Sequence, residues 1–164
     1  MPLLIRDATV EDAPEIARIY NQAIEDRVAT LETEPRSPAE RQAWLTNRGP
    51  RHPVLVAVDE GKIAGWGALN PFNPRPVYDH VADFSVYVAR ERRGIGVGTA
   101  LLRALETRAC GLGYHKLALA ALPWNQLGIR LYKRSGFRLV GVYREQGQLD
   151  GRWVDVVLME KIID

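Results

Sequence analysis

At 164 residues, with 46% hydrophobic and 26% charged residues, the chain has the make-up of one soluble globular domain spanning 1–164. Its net charge of +2, spread over interleaved acids and bases, excludes general nucleic-acid binding. A lone cysteine, Cys110, excludes an intrachain disulfide, and no apolar run nears membrane-span length, so a cytoplasmic protein is expected.

The opening "MPLLIRDATVEDA" meets a charge at Arg6 and so lacks a signal-peptide core. Residues 3–6 predict a short strand. Thr9, three residues before Asp12, predicts a helix start, and Ala13, Ile16, Ala17, Tyr20 and Ile24 follow at helical spacing. "RVATLETEP" is expected as an extended connector. Ser37-Pro38-Ala39-Glu40 supplies an N-cap, a proline for the first turn and a glutamate to close the capping box. "HPVLVAVD" and "KIAGWGALN" predict a hairpin turning at Glu60-Gly61. "PFNPRPVYDH", with three prolines, predicts a surface loop without regular structure. "VADFSVYV" is a predicted strand, followed by a glycine-rich loop and a helix from about Gly98 to Cys110. "HKLALAA" predicts a strand buried on both faces, and "NQLGIRLYKRSG" a short helix stopped by Gly136. "FRLVGVYREQG" and "RWVDVVLMEK" close the chain as strands around Asp150-Gly151. Helices interspersed among strands in this order predict an α/β or α+β domain with a mixed sheet.

Chemistry concentrates first in "RERRGIGVGTALLRALE", residues 90–106. Gly94, Gly96 and Gly98 bare the backbone amides at a helix N-terminus, which suits an anion. A P-loop is excluded, because no lysine is followed by serine or threonine here. A dinucleotide fingerprint is excluded by Thr99 in place of its last glycine. What remains is Arg93-x-x-Gly96-x-Gly98 between a strand and a helix.

That motif resembles the pyrophosphate loop of the GNAT N-acetyltransferases. A second stretch, "LPWNQLGIRLYKRSGF", resembles their downstream signature through Asn125, Leu131, Tyr132, Gly136 and Phe137. "RDATVEDAPEIARIYNQAI", "TLET", "SVYV" and "GRWVDV" extend the likeness over nearly the whole chain, to the branch that acetylates phosphinothricin, methionine sulfoximine and arsinothricin. The resemblance implies a mixed, mostly antiparallel sheet flanked by helices, acetyl-CoA as co-substrate, no metal, and a homodimer. It implies acetylation of a small amino-acid analogue in a ternary complex, with a role in resistance. Another amine (a polyamine, an aminoglycoside or a protein N-terminus) and a non-catalytic acetyl-CoA-binding module stay open as alternatives.

Site residues follow from the same likeness. Phe84, Ser85, Val86, Tyr87 and Val88 would align the pantetheine arm along their backbone, and Asn125 would bond to it. Arg93, Gly94, Ile95, Gly96, Val97, Gly98 and Thr99 would hold the pyrophosphate, the remaining arginines of the stretch being solvated charge. Acyl transfer from a thioester to an amine needs a base for the ammonium and benefits from an acid for the thiolate. Asp83 stands where phosphinothricin enzymes carry glutamate, one methylene longer, and Tyr132 holds the acid's place. Tyr20, Thr30, Glu32, Phe72, Arg75 and Tyr78 would flank the acceptor, Arg75 suiting a carboxylate, phosphinate or arsinate. The C-terminal Trp153-Val154-Asp155-Val156 has no histidine, unlike some phosphinothricin enzymes. His52, His80 and His115 show no ligand spacing, and Cys110 is expected to pack. Trp44, Trp66 and Trp153 are expected in core or interface, and Trp124 beside the acetyl-CoA channel.

Overall fold

The strands are β1 (Leu4–Asp7), β2 (Val54–Asp59), β3 (Lys62–Pro71), β4 (Val81–Val88), β5 (Lys116–Ala121), β6 (Arg138–Leu149) and β7 (Arg152–Ile162). In the computed structural model, which describes residues 2–164, they form one sheet in the order β1-β2-β3-β4-β5-β7-β6. Every neighbouring pair is antiparallel except β4 and β5. The turns are chemically prepared. Glu60 and Gly61 both sit at positive φ (51° and 77°), as do Asp150 and Gly151 (51° and 77°), which matches a tight hairpin to the twist of its strands.

Four helices flank the sheet: α1 (Ala13–Asp26), α2 (Pro38–Thr46), α3 (Val97–Gly111) and α4 (Gln126–Arg134). Each of the first two starts where a cap predicts it. The Thr9 amide donates to Asp12 at 2.8 Å, and one 3-10 turn leads into α1. The Glu40 amide donates to the Ser37 hydroxyl at 3.1 Å to open α2. At the far end of α4, Gly136 adopts φ +93°, the left-handed stop expected of it.

Period-two alternation divides the core. Trp66 and Ala68 of β3 face α1 and α2, with Ile16, Ile19 and Tyr20. Their neighbours Gly65 and Gly67 face α3, and the absent side chains let that helix settle close. A Cβ at Gly65 would lie 2.8 Å from the Tyr87 carbonyl, and one at Gly67 2.8 Å from Leu105. The main core, with Phe84, Leu101, Leu105, Leu117 and Met159, lies on this α3 side.

Four expectations are corrected. β5 is not buried on both faces: Leu117, Leu119 and Ala121 are buried while Ala120 is exposed. The cause is geometric, because β5 leaves its β4 neighbour early and one of its faces opens. The proline-rich segment is not wholly irregular, since β3 continues to Pro71 and Pro76–Tyr78 form a 3-10 turn. The connector after α1 is not extended at its start, where Arg27 turns through the left-handed region at φ 53°. Cys110 is exposed, its thiol donating to the Ile163 carbonyl at 3.1 Å, so it is not a packed core residue. Trp66 is core as expected, and Trp153 is 64% exposed.

Candidate active site

The site begins where β4 and β5 part. Their parallel pairing covers only Val81, Ala82 and Asp83 against Lys116, Leu117 and Ala118. On its other side β4 stays paired with β3 as far as Val88. The β5-facing edge of residues 84–88 therefore carries backbone groups with no strand opposite. A cleft of about 740 Å³ opens beside this edge. Val86, Tyr87 and Val88 form one wall, the glycine loop a second, and α4 with Asn125 and Tyr132 a third.

The glycine loop faces the cleft with Gly94, Gly96 and Gly98, flanked by Arg93 and Thr99. Gly94 and Gly96 take φ of +78° and +100°, Gly96 being the residue that caps α3. Nothing lies within 4 Å of where either would carry a Cβ, so both border open space. Gly98 serves packing: a Cβ there would lie 3.1 Å from Leu131 of α4. Its arginines are held by acids from neighbouring elements. Asp26, at the end of α1, accepts from Arg90 at 2.8 and 3.0 Å and from Arg93 at 2.7 Å. The Arg90 amide donates to Gln22 at 2.8 Å, and Arg92 pairs with Asp59. Arg92 is thus a part-buried anchor, while Arg90 stays exposed but paired, because their partners approach from β2 and α1. Thr99 lines the cleft, whereas Ile95 is 65% exposed and Val97 is core.

Asn125 caps α4, its side-chain oxygen accepting from the Gly128 amide at 3.1 Å. Removing that cap by Asn125→Ala is expected to cost about 1 kcal/mol, measured by urea unfolding. Tyr132, only 9% exposed, packs edge-on against Phe84 with ring centroids 5.8 Å apart. Burial, and then the charge of Asp83, push its phenol up to about 12. Phe84 thereby contributes its ring to the core and only its backbone to the β4 edge. Asp83, the last β4 residue paired with β5, is half-buried, and desolvation raises its carboxyl to about 6 against the bond from the Phe84 amide. Asp83, Ser85 and Tyr87 share the face of β4 opposite Phe84, where Ser85 accepts from the Asn70 side chain at 3.2 Å.

The six expected acceptor residues fall into two groups. Tyr20 meets Thr30 at 3.3 Å, the Glu32 amide donates to Thr30 at 3.1 Å, and Tyr20 packs edge-on against Tyr87 at 5.1 Å. Glu32 itself binds Arg36. Phe72 and Tyr78 stack edge-on at 6.0 Å in the loop before β4, with Arg75 between them in sequence. The loop follows the end of β3 that pairs with Ala82 and Asp83, so it reaches the Asp83 end of the face, while Tyr20 lies at the Tyr87 end. Trp124 does not line the cleft: its indole N–H donates to the Arg27 carbonyl at 2.6 Å, tying the loop after α1 to the approach to α4. His80 packs near His115, 5.9 Å between centroids, and among the described residues no three His, Cys, Asp or Glu side chains gather for a metal. Missed by the sequence reading were Arg103, Arg130 and Arg134, all on the cleft walls. Their spacing held a signal: Arg103 follows Thr99, and Arg134 follows Arg130, by one helical turn.

Comparison with known proteins agrees with this geometry. The model of the acetyltransferase (GNAT) family matches residues 15–137. The L-methionine sulfoximine/L-methionine sulfone acetyltransferase of Pseudomonas aeruginosa is 37% identical over the whole chain and 96% of its own length. The phosphinothricin acetyltransferase of Sinorhizobium meliloti, solved in complex with AcCoA, superposes with TM-score 0.91 at 33% identity, covering 99% of this chain and 89% of that one. A structure described as ribosomal-protein-alanine N-acetyltransferase from Brucella melitensis superposes with TM-score 0.93 at 38% identity, covering 97% and 99%. Both halves of the expected signature, the glycine loop and the Asn125-to-Phe137 stretch, border or pack beneath one cleft, and the chain belongs to the acetyltransferase (GNAT) family.

Proposed function

We propose that residues 1–164 form one domain that transfers the acetyl group of acetyl-CoA to the α-amino group of a small amino-acid analogue of the methionine sulfoximine, phosphinothricin or arsinothricin type. The observation that carries this reading is a carboxyl raised to about 6 at the point where β4 and β5 separate, with Tyr132 in its field. The names of the Pseudomonas and Sinorhizobium relatives support the acceptor class.

The residues fit acetyl-CoA, which supplies the acetyl thioester when bound. The unpaired edge of residues 84–88 fits a pantetheine arm laid down as an added strand. Amides at Gly94 and Gly96 and the α3 N-terminus fit the pyrophosphate, with Arg93 on the cleft wall holding the loop through Asp26. Asn125 spends its oxygen on the helix cap, and its side-chain N–H₂ remains for an amide carbonyl. A backbone N–H on the β4 edge stabilises charge building on the carbonyl oxygen. Asp83, through water or directly, takes the proton from the acceptor ammonium. Tyr132, kept protonated by its raised pKa, gives one to the departing sulfur. Tyr20, Thr30 and Glu32 approach the acceptor from one side, and Phe72, Arg75 and Tyr78 from the other, with Arg75 taking its acidic group.

Tyr132→Phe is expected to lower kcat roughly 10- to 100-fold with KM for both substrates little changed. Unchanged kcat removes Tyr132 as the acid. The reading as a whole is tested by thiol release from acetyl-CoA with a panel of amines. Methionine sulfoximine, phosphinothricin or arsinothricin is expected to be consumed with N-acetyl product formed. The Brucella neighbour's name motivates a second reading, so an alanine-initiated peptide belongs in the panel beside a polyamine and an aminoglycoside. Turnover of the peptide alone overturns the small-acceptor assignment. Binding of acetyl-CoA without any turnover overturns the enzyme assignment.

Acetylation neutralises the ammonium by which such inhibitors mimic an amino acid, which gives the activity its role in resistance within the cytoplasm. Pairing as a homodimer is supported by the outer hairpin, where Leu139, Tyr143 and Trp153 are more than half exposed (55%, 52% and 64%). Light scattering reads it directly, and a monomer at micromolar concentration contradicts it.

A further inference from the structure

Three arginines on the cleft walls stand apart from the rest of the site. Arg103 of α3 and Arg130 and Arg134 of α4 all border the cleft, and among the described residues none belongs to an ion pair. By contrast, Arg90, Arg92, Arg93 and Arg108, on the same loop and helix, are each paired with an aspartate. The glutamate nearest to them in the cleft, Glu106, is already bound to Lys161 at 2.5 Å. The walls therefore hold uncompensated positive charge.

The glycine loop does not need that charge for a pyrophosphate. Its amides and the α3 N-terminus supply the donors, and its arginines are already paired with Asp26 and Asp59, Arg93 from the cleft wall itself. Arg103 lies one turn beyond Thr99, about 6 Å farther along α3. Arg130 and Arg134 are one turn apart on α4, across the cleft. Guanidinium groups from two facing helices match a phosphate monoester, which offers three oxygens and up to two negative charges.

We propose that Arg103, Arg130 and Arg134 bind the ribose 3′-phosphate of coenzyme A and make the protein selective for full coenzyme A thioesters. The inference rests on the acetyl-CoA reading above and goes beyond it. Thioesters of dephospho-CoA, or of pantetheine carried on a protein, share the reacting end and lack this group.

The test compares acetyl-CoA with acetyl-dephospho-CoA in the full-length protein. Wild type is expected to show a KM about 10- to 100-fold higher for the dephospho form at similar kcat, the range of a charged hydrogen bond removed. Arg103→Gln, Arg130→Gln and Arg134→Gln are each expected to shrink that ratio, and the triple variant to bring it near one. Arg→Lys at the same positions keeps part of it, since charge is retained and the planar fork is not. Equal KM values in wild type overturn the proposal. So does a parallel rise of both KM values in the variants, which assigns the arginines to the shared pyrophosphate. Calorimetric binding of CoA and dephospho-CoA repeats the comparison without turnover. A protein that catalyses nothing but still prefers CoA there refutes the enzyme reading and supports the phosphate site.

Discussion

Asp83→Asn is expected to lower kcat at pH 8 by 100-fold or more and, in the same protein, to raise the unfolding temperature. Both effects come from one feature, a carboxyl held in a desolvated place for its chemistry. Loss of a positioned general base removes about 10²- to 10⁴-fold in rate. The stability effect follows from linkage. The folded carboxyl titrates at about 6 against an ordinary 3.8, so the folded state binds the proton more tightly than the unfolded chain. Its stabilising contribution is complete below pH 4, fades as the pH rises through 6, and leaves the ionised group disfavoured at pH 8. The shift corresponds to about 3 kcal/mol as an upper bound. Asparagine cannot ionise, so the variant should gain roughly 5 °C at pH 8 and little or nothing at pH 4. Thermal scans at the two pH values check the sign. A variant that loses both activity and stability at pH 8 would make Asp83 a structural residue.

Gly96→Val is expected to raise KM for acetyl-CoA by 100-fold or more while leaving kcat at saturation within a few fold. Gly96 caps α3 at φ +100°, which L-residues rarely adopt and a β-branched one adopts least. Keeping that conformation costs on the order of 1–3 kcal/mol, and escaping it turns the amides away from the cleft. The added methyl groups project into space where nothing lies within 4 Å, the volume assigned to the pyrophosphate. Steady-state kinetics with both substrates varied separates the effects. Ile95→Ala is the control, since its side chain is 65% exposed and outside the cleft lining, and KM is expected within about twofold. Similar losses in the two variants would mean that the loop's side chains, and not its backbone, grip the ligand.

Local chemistry was legible in the chain. Ser37 with Glu40 marks a helix start, Glu60-Gly61 a hairpin, and Gly136 a helix stop, because each signal and its response lie within a few residues. The two ligand motifs were legible for the same reason, each being a continuous run. What the sequence hid depends on partners far along the chain. Arg90 and Arg92 read as solvated charge until α1 and β2 bring Asp26 and Asp59 to them. Arg103 read the same way, and the structure leaves it facing the cleft in no ion pair among the described residues. The exposed face of β5 was illegible because Leu117 to Ala121 is uniformly apolar, and only the early parting from β4 opens one side. The residues proposed for the acceptor divide because Tyr20 belongs to a helix on one end of the β4 face and Arg75 to a loop at the other.

The central claim, that Asp83 at the parting of β4 and β5 deprotonates the acceptor, is tested most directly by the pH dependence of kcat with both substrates saturating. Wild type is predicted to show a rising limb centred near pH 6 that Asp83→Asn lacks. The same limb, at the same pH, in Asp83→Asn would contradict it.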